Sequence, residues 1–338
     1  MKILVIRIDH LGDVLLCTPM IRSLAKAGHN VSVIVRRQNV CVFDNSPYVE
    51  KCYALKDVWA NFPKRWWSFA QWIRNKRYNA IILPHAKPRE LLFASLLSGT
   101  RKRIAMWSGI WGRMTFHKCL RSHLKDRPRH ISDIILDCAR ALNIPTDGLE
   151  PDIFLTPELR QWAIQIMQTH FGSHTVVGIH PGCKGNTCNL PASEYGKLAK
   201  FLLEHNNIAV VATGTADEAS LLKSWPEEVL ISSNFWNSMG QLTIRQLAAL
   251  IEQMSVYVVT GTGPLHLASC VKAVTVSPFC AYPPLSAKVW GNIGGTGIVA
   301  EPPLAYCIEY RRHNKTPCDF GGTVTAETIY QKIVQQIQ

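Results

Sequence analysis

The chain has 338 residues, 47% of them hydrophobic. That is long enough for two domains with a core each, and no apolar run approaches the length of a membrane span. The net charge of +13 is unevenly spread: residues 1–150 hold 25 basic and 11 acidic side chains, a net of +14, while residues 151–338 hold 12 and 13, a net of −1. A half of single sign steers an anionic partner: nucleic acid, an anionic membrane face or an acidic substrate. The plainer reading is a solvated basic surface. The eleven Cys show no tight pairing. Without an export signal they read as reduced cytosolic thiols.

The opening MKILVIRIDH is too short and too soon charged for a signal peptide. Residues 2–7 read instead as a first buried parallel strand, followed by strands at 31–35 and 80–83. The first strand runs into Arg7-Ile8-Asp9-His10-Leu11-Gly12-Asp13. Loops at the carboxyl ends of strands are where α/β proteins place their chemistry. Asp13, at a helix N-terminus, is held ionised by the helix dipole and can take a proton from an attacking hydroxyl. The competing reading is a capping Asp. Asp9 reads as an exposed loop acid and His10 as a loop residue. Thr18-Pro19 reads as the N-cap and first residue of the next helix, closed by Gly28. Alternatively, Pro19 kinks a helix begun near Gly12.

Residues 61–78 interleave Trp66, Trp67, Phe69 and Trp72 with Lys64, Arg65, Arg74, Lys76 and Arg77. Such a segment suits a lipid headgroup interface, or else a helix with its Trp face in the core. Helices are expected near 65–75, 88–98 and 131–142. Arg101, Lys102, Arg103, Arg121, Lys125, Arg127 and Arg129 add further positive charge. Residues 144–157, with three Pro, read as the interdomain linker.

A second α/β series follows, with strands near 175–180, 208–213, 229–232, 256–260 and 273–278. Helices fall between them near 192–204, 217–223, 243–253 and 264–271, and a last one covers 324–337. Strands alternating with helices give parallel sheets, so the chain reads as two Rossmann-like domains. His180-Pro181-Gly182-Cys183-Lys184-Gly185-Asn186-Thr187 is a glycine-bearing strand-to-loop stretch in which Lys184 and Thr187 can meet phosphate oxygens. Thr213 ends the next strand, and Asp217 or Glu218 beyond it can accept from ribose hydroxyls. Thr262-Gly263-Pro264 reads as cap, small residue and N1 proline of a helix. Its glycines admit a diphosphate to free backbone N–H groups without metal or lysine, and His266 can donate to a phosphate oxygen. The bland alternatives are capping acids at 217–218 and a tight turn with a packed histidine at 266. Cys307 and Cys318 flank His313, but two Cys at that spacing do not make a zinc site and read as free thiols.

Taken in order, Arg7-x-Asp9-x-x-Gly12-Asp13, Thr18-Pro19, His180-Pro181-Gly182 and Thr262-Gly263-Pro264-Leu265-His266-Leu267-Ala268 resemble the lipopolysaccharide heptosyltransferases of glycosyltransferase family 9. The resemblance covers nearly the whole chain. Each motif alone is weak, while the ordered set is specific. It implies a GT-B fold: residues 1–150 as an N-terminal acceptor-binding domain, 151–323 as a C-terminal nucleotide-sugar domain, a helix at 324–338, and sheets facing a central cleft. It implies inverting, metal-independent transfer from ADP-heptose with no cofactor. It also implies an anionic lipid A/Kdo-type acceptor and a cytoplasmic protein peripheral on the inner membrane. Asp13 takes the place of the catalytic base. His180, Gly182, Lys184, Thr187, Thr213, Glu218, Thr262, Gly263, Pro264 and His266 fall on the donor side. Arg7, Lys64, Arg65, Arg101, Arg103 and Arg121 fall on the acceptor side.

The chain departs from the family in two places. Many members carry Asp-Thr-Gly-Pro where this one has Gly261-Thr262-Gly263-Pro264. Many carry Lys-x-Trp-Pro where it has Cys188-Asn189-Leu190-Pro191, and Lys184 can compensate for that lysine. A nucleotide-sugar epimerase would share the architecture but needs no acceptor, and a family member with another donor sugar would share both. A nucleic-acid-binding protein is prompted by charge alone, with no recognisable motif, and no nucleic-acid partner is expected.

Overall fold

The structure is a computed structural model and describes all residues except 59–65, 86–88, 107–108, 121–126, 186, 314–317 and 338. The chain divides into two compact units, Met1–Phe154 and Leu155–Gln338. The first holds 25 basic and 12 acidic residues, and the second 12 of each, so the whole charge excess belongs to the first unit.

Unit 1 is built on six parallel strands: β1 (Lys2–Ile6), β2 (Asn30–Val35), β3 (Lys51–Ala54), β4 (Ala80–Leu83), β5 (Lys102–Met106) and β6 (Lys118–Leu120). They lie in the order β3-β2-β1-β4-β5-β6. The central strands read KILVI, NVSVIV and AIIL, continuous apolar runs that suit strands covered on both faces. Sequence pattern missed β3, β5 and β6, which are short and begin with lysine.

Unit 2 repeats the scheme with β7 (Thr175–His180), β8 (Ile208–Ala212), β9 (Phe235–Asn237), β10 (Val256–Val259), β11 (Thr275–Pro278) and β12 (Gly297–Ala300). Their order is β12-β11-β10-β7-β8-β9, again all parallel. The strand order therefore reverses once in each sheet, between β1 and β4 in unit 1 and between β7 and β10 in unit 2. Loops leaving the carboxyl ends of those strand pairs border the crevice where open α/β sheets bind ligands.

Several expectations are corrected. The strand expected at 229–232 is the short helix Glu227–Leu230, opened by Pro226 and two glutamates that suit a helix start, and the strand comes later at 235–237. The expected linker is largely fixed to unit 1. The buried Arg22 holds the carbonyls of Asp147 and Glu150 and pairs with Asp152. Thr18 Oγ1 accepts from Asp152 N at 2.7 Å. At its far end, Thr156-Pro157 is the cap and first residue of a helix, Pro157–Phe171, that periodicity did not single out. Pro19 is the second residue of the helix Thr18–Lys26, with Cys17 as N-cap, and it follows a separate helix, Leu11–Leu15. The last helix, Ala326–Ile337, packs on the helix Ala192–Leu203 and belongs to unit 2. No helix among the described residues is long and apolar enough to cross a membrane.

The tryptophan-rich segment divides between two roles. In the helix Trp66–Lys76, Phe69 and Ile73 are buried in the unit 1 core. Trp72 packs against Tyr53, Phe69 and Tyr78. Full burial of such a side chain contributes about 1.5–3 kcal/mol, which fixes the helix on the sheet. Trp66 and Trp67 point outward.

Candidate active site

In unit 1 the chemistry-bearing residues meet at the β1/β4 switch. Arg7 is buried, and its Nη2 donates to Asp13 Oδ1 at 2.7 Å while its Nε lies 3.2 Å from Asp9 Oδ2. Asp9 Oδ1 stands 2.9 Å from His85 Nδ1, just past the end of β4. Asp13 is the third residue of the helix Leu11–Leu15, and its Oδ2 accepts the His10 backbone N–H at 3.3 Å. Its side chain keeps 24% exposure. A carboxylate has about four lone-pair sites, so these two bonds orient it and leave capacity for a proton.

Electrostatics tie the cluster together. Burial disfavours the charged forms, but the Cys17 sulfur, Asp13 and Asp9 outweigh it and raise the Arg7 pKa. Burial would likewise raise Asp9; His85, Arg7 and Arg36 overcome it and hold that carboxyl below the ordinary range. Two readings change accordingly. Asp9 is a half-buried, doubly paired acid, not an exposed loop acid. Arg7 is a positioning group for two carboxylates, because its burial removes it from the surface where an acceptor would meet a cation. Sequence reasoning passed over His85; its one signal was its place immediately after the AIILP run at a strand end.

In unit 2 the candidate donor residues gather at the ends of three adjacent strands, β10, β7 and β8. His180 closes β7, is buried, and its Nδ1 lies 3.1 Å from Thr213 Oγ1. Thr213 Oγ1 lies in turn 2.8 Å from the hydroxyl of Tyr257, a residue of β10 that sequence reasoning passed over. Burial lowers the His180 pKa to about 4 despite the nearby Glu218, so the imidazole is neutral near pH 7. Glu218 accepts from Thr215 N at 2.8 Å and Thr215 Oγ1 at 3.0 Å. A Cβ at residue 182 would run into the Glu218 carboxylate, so the loop after β7 and the Glu218 side chain lie in close contact at Gly182.

Past β10 the chain turns tightly, with Thr262 N bonded to Thr260 O at 2.6 Å. A Cβ at Gly261 would stand 2.8 Å from the Phe279 ring and 3.6 Å from Thr187 Oγ1, which places Thr187 beside this turn. Thr262 is the N-cap of the helix Gly263–Cys270, with Pro264 in its first turn. Its hydroxyl makes no cap bond to the helix among the described residues and donates instead to Thr260 O at 3.3 Å. In the first turn Leu265 N donates to Thr262 O at 3.1 Å and Pro264 has no N–H, so among the described residues it is the Gly263 N–H that this helix start can offer to a phosphate oxygen. His266 is buried, its ring 6.5 Å from that of Trp290. Lys184 is exposed on the loop after β7. Cys188, where many family members have lysine, is buried.

The basic residues divide sharply. Arg101 is exposed. Arg103 is half-buried, with Nε donating to Thr115 O at 2.8 Å and Nη1 to Thr100 O. Its guanidinium holds the end of the helix Gly109–Thr115 and does not present itself to an acceptor. Lys64, Arg65 and Arg121 lie outside the described residues. On the same unit, Trp67, Phe93, Leu97, Ile110, Trp111 and Met114 are exposed apolar side chains. They sit on the helices Trp66–Lys76, Arg89–Leu97 and Gly109–Thr115, which pack in sequence, and Phe93 meets Trp111 at 5.8 Å.

The model of glycosyltransferase family 9 (heptosyltransferase) matches residues 66–302. Among solved structures, ADP-heptose lps heptosyltransferase II of E. coli is 17% identical, with a TM-score of 0.78 over 100% of both chains. A family 9 glycosyl transferase from Veillonella parvula is 16% identical, with a TM-score of 0.76 over 99% of this chain and 95% of that one. The E. coli heptosyltransferase WaaC, solved with ADP, is 14% identical, with a TM-score of 0.67 over 99% and 100%. The likeness to these structures is one of fold, the α/β GT-B-like arrangement of two parallel six-stranded sheets. None of the curated proteins compared matches this chain.

Proposed function

The chain belongs to glycosyltransferase family 9, the heptosyltransferases, and from that premise we propose that it moves heptose from ADP-heptose to the inner core of lipopolysaccharide, by inversion, with Asp13 as general base. The observation that carries this reading is the carboxylate of Asp13. It sits at the carboxyl end of β1, part-exposed, and is aimed by Arg7 and the His10 N–H. As the acceptor hydroxyl attacks the anomeric carbon, its proton passes to Asp13, the sugar–oxygen bond to the diphosphate breaks, and ADP leaves with the bonding pair. The Gly263 N–H, at the positive end of the helix Gly263–Cys270, meets that developing charge, in a transfer that needs no metal. Gly182, Lys184, Thr187, Thr213, Glu218, Pro264 and His266 complete the donor side, with neutral His180 supporting it from within the core.

The basic unit 1 takes an acceptor bearing Kdo carboxylates and lipid A phosphates, steered by exposed cations such as Arg101. Lys64, Arg65 and Arg121 belong to the same proposal. The apolar side chains on three consecutive helices suit the interfacial depth of a membrane, with the flanking lysines and arginines at its anionic headgroups. The protein works at the cytoplasmic face of the inner membrane.

The test is transfer itself. A panel of nucleotide sugars is screened by thermal shift and then with a Kdo–lipid A acceptor. ADP-heptose should give the largest shift and acceptor-dependent release of ADP. A ligand at 100 times its Kd should stabilise by about 2.7 kcal/mol. Turnover of the donor with no acceptor present would favour an epimerase and sink the transfer reading.

A further inference from the structure

The two cysteines that the sequence left as free thiols, Cys307 and Cys318, meet two others in the unit 2 core. Cys188 comes from the loop after β7, Cys280 follows β11, Cys307 lies in the helix Leu304–His313, and Cys318 precedes a 3-10 turn at Phe320–Gly322. All four are buried. The sulfurs of Cys188, Cys280 and Cys318 lie within 4.8 Å of one another, and Cys318 Sγ is 3.3 Å from Cys188 Sγ. Cys307 lies beside Cys280. We propose that Cys188, Cys280 and Cys318, with Cys307 as a fourth donor that moves in from beside Cys280, form a structural site for a thiophilic divalent cation, Zn²⁺, that staples four distant segments of unit 2.

Spacing supports this. Tetrahedral Zn–S bonds of about 2.3 Å set the sulfurs roughly 3.8 Å apart, so an ion would widen the 3.3 Å pair by about half an ångström. The backbone supports it independently. Backbone N–H groups lie close to these sulfurs: Tyr282 beside Cys280 and Cys307, Ala281 beside Cys307, and Phe320 beside Cys318. Two of these join a cysteine to the residue two places on, Cys280 to Tyr282 and Cys318 to Phe320. Such turns stabilise thiolate and supply the outer hydrogen bonds that tune a metal site. Four thiolates are the ligand set that selects zinc over hard cations. Thiols bind the ion only as thiolates, so it would enter with proton release. His313, the sequence's nearest candidate ligand, is not among them: its ring is exposed and paired with Glu309.

The staple would act on the loop that carries Gly182 and Thr187. Asn189 N donates to Cys318 O at 3.2 Å. Thr260 Oγ1 donates to Cys188 O at 2.7 Å and lies 3.2 Å from Pro278 O, linking the cluster to the turn after β10. The ion takes no part in sugar transfer, so the proposal stands or falls separately from the function above.

The test is metal content of the full chain purified without chelator. Wild type should carry one zinc per chain. The double variant Cys280→Ser/Cys318→Ser should lose it at least tenfold, and Cys138→Ala, in the core of unit 1, should keep it. Exchange for Co²⁺ in the wild type should give the visible absorption of a tetrahedral thiolate complex, a readout that does not depend on the variant folding. Metal-free wild type with eleven titratable thiols after denaturation would overturn the proposal. So would a mass lower by two hydrogens with a peptide map linking Cys188 to Cys318, or iron with acid-labile sulfide.

Discussion

The loop after β1 and the loops after β7 and β10 occupy equivalent places in two sheets of the same strand order, yet they are built from opposite materials. The first is a chain of ionisable side chains, His85, Asp9, Arg7 and Asp13, each within hydrogen-bond or ion-pair distance of the next. The second centres on neutral groups, the imidazole of His180, the hydroxyls of Thr213 and Tyr257, and backbone N–H groups, with Glu218 as its one embedded carboxylate. A proton acceptor needs a charge that is held but not neutralised, which a network of partners provides. A diphosphate brings its own charge, and backbone dipoles receive it without the cost of burying a cation. One topology thus supports acid–base chemistry in one unit and anion binding in the other.

The comparison breaks most visibly at Asp13. Asp13→Asn keeps the shape of the side chain but removes the base. Turnover should fall about 10²–10⁴-fold while nucleotide affinity, measured by calorimetry, stays within a few-fold of wild type. A variant that retained most of its rate would move the chemistry away from this loop.

The neutrality of the second site is tested by pH. His180 titrates at about 4 in the fold against an ordinary 6.5. Its folded-state value is depressed, so the stability it contributes is present above pH 6.5 and is lost as pH falls toward 4, by roughly 3 kcal/mol in all. Urea melts at pH 7 and near pH 4.5 should show that loss in wild type and a smaller one in His180→Asn. Equal losses in both would mean that the imidazole is charged in the fold.

Gly263→Val sharpens the donor side. A branched side chain at the first helical residue obstructs close approach of a phosphate to the turn. Nucleotide affinity should weaken at least about tenfold, or 1.4 kcal/mol, with acceptor or vesicle binding unchanged in co-sedimentation. The smallest effect concerns the surface of unit 1. Arg101→Glu with Lys102→Glu should weaken binding to anionic vesicles a few-fold and flatten its salt dependence. Nucleotide affinity should not change, since screened surface charges fade beyond about 10 Å at 0.1 M salt.

The amino-acid sequence by itself determined the two α/β series, the strand-end motifs and the lopsided charge. Runs such as KILVI and AIIL have one stable use, as strands buried on both faces, and Thr262-Gly263-Pro264 has the local chemistry of a helix start. It did not determine partners distant along the chain. Asp9 and His85 are 76 residues apart, Cys188 and Cys318 are 130 apart, and Thr213 and Tyr257 are 44 apart. Each pair depends on which strands lie side by side. Strand order is decided by the packing of whole units and leaves no local periodicity to read. For the same reason Arg7 and Arg103 look like surface cations in sequence and are withdrawn in the fold. A guanidinium goes inside wherever enough acceptors converge to offset its desolvation, and only the tertiary structure brings them there.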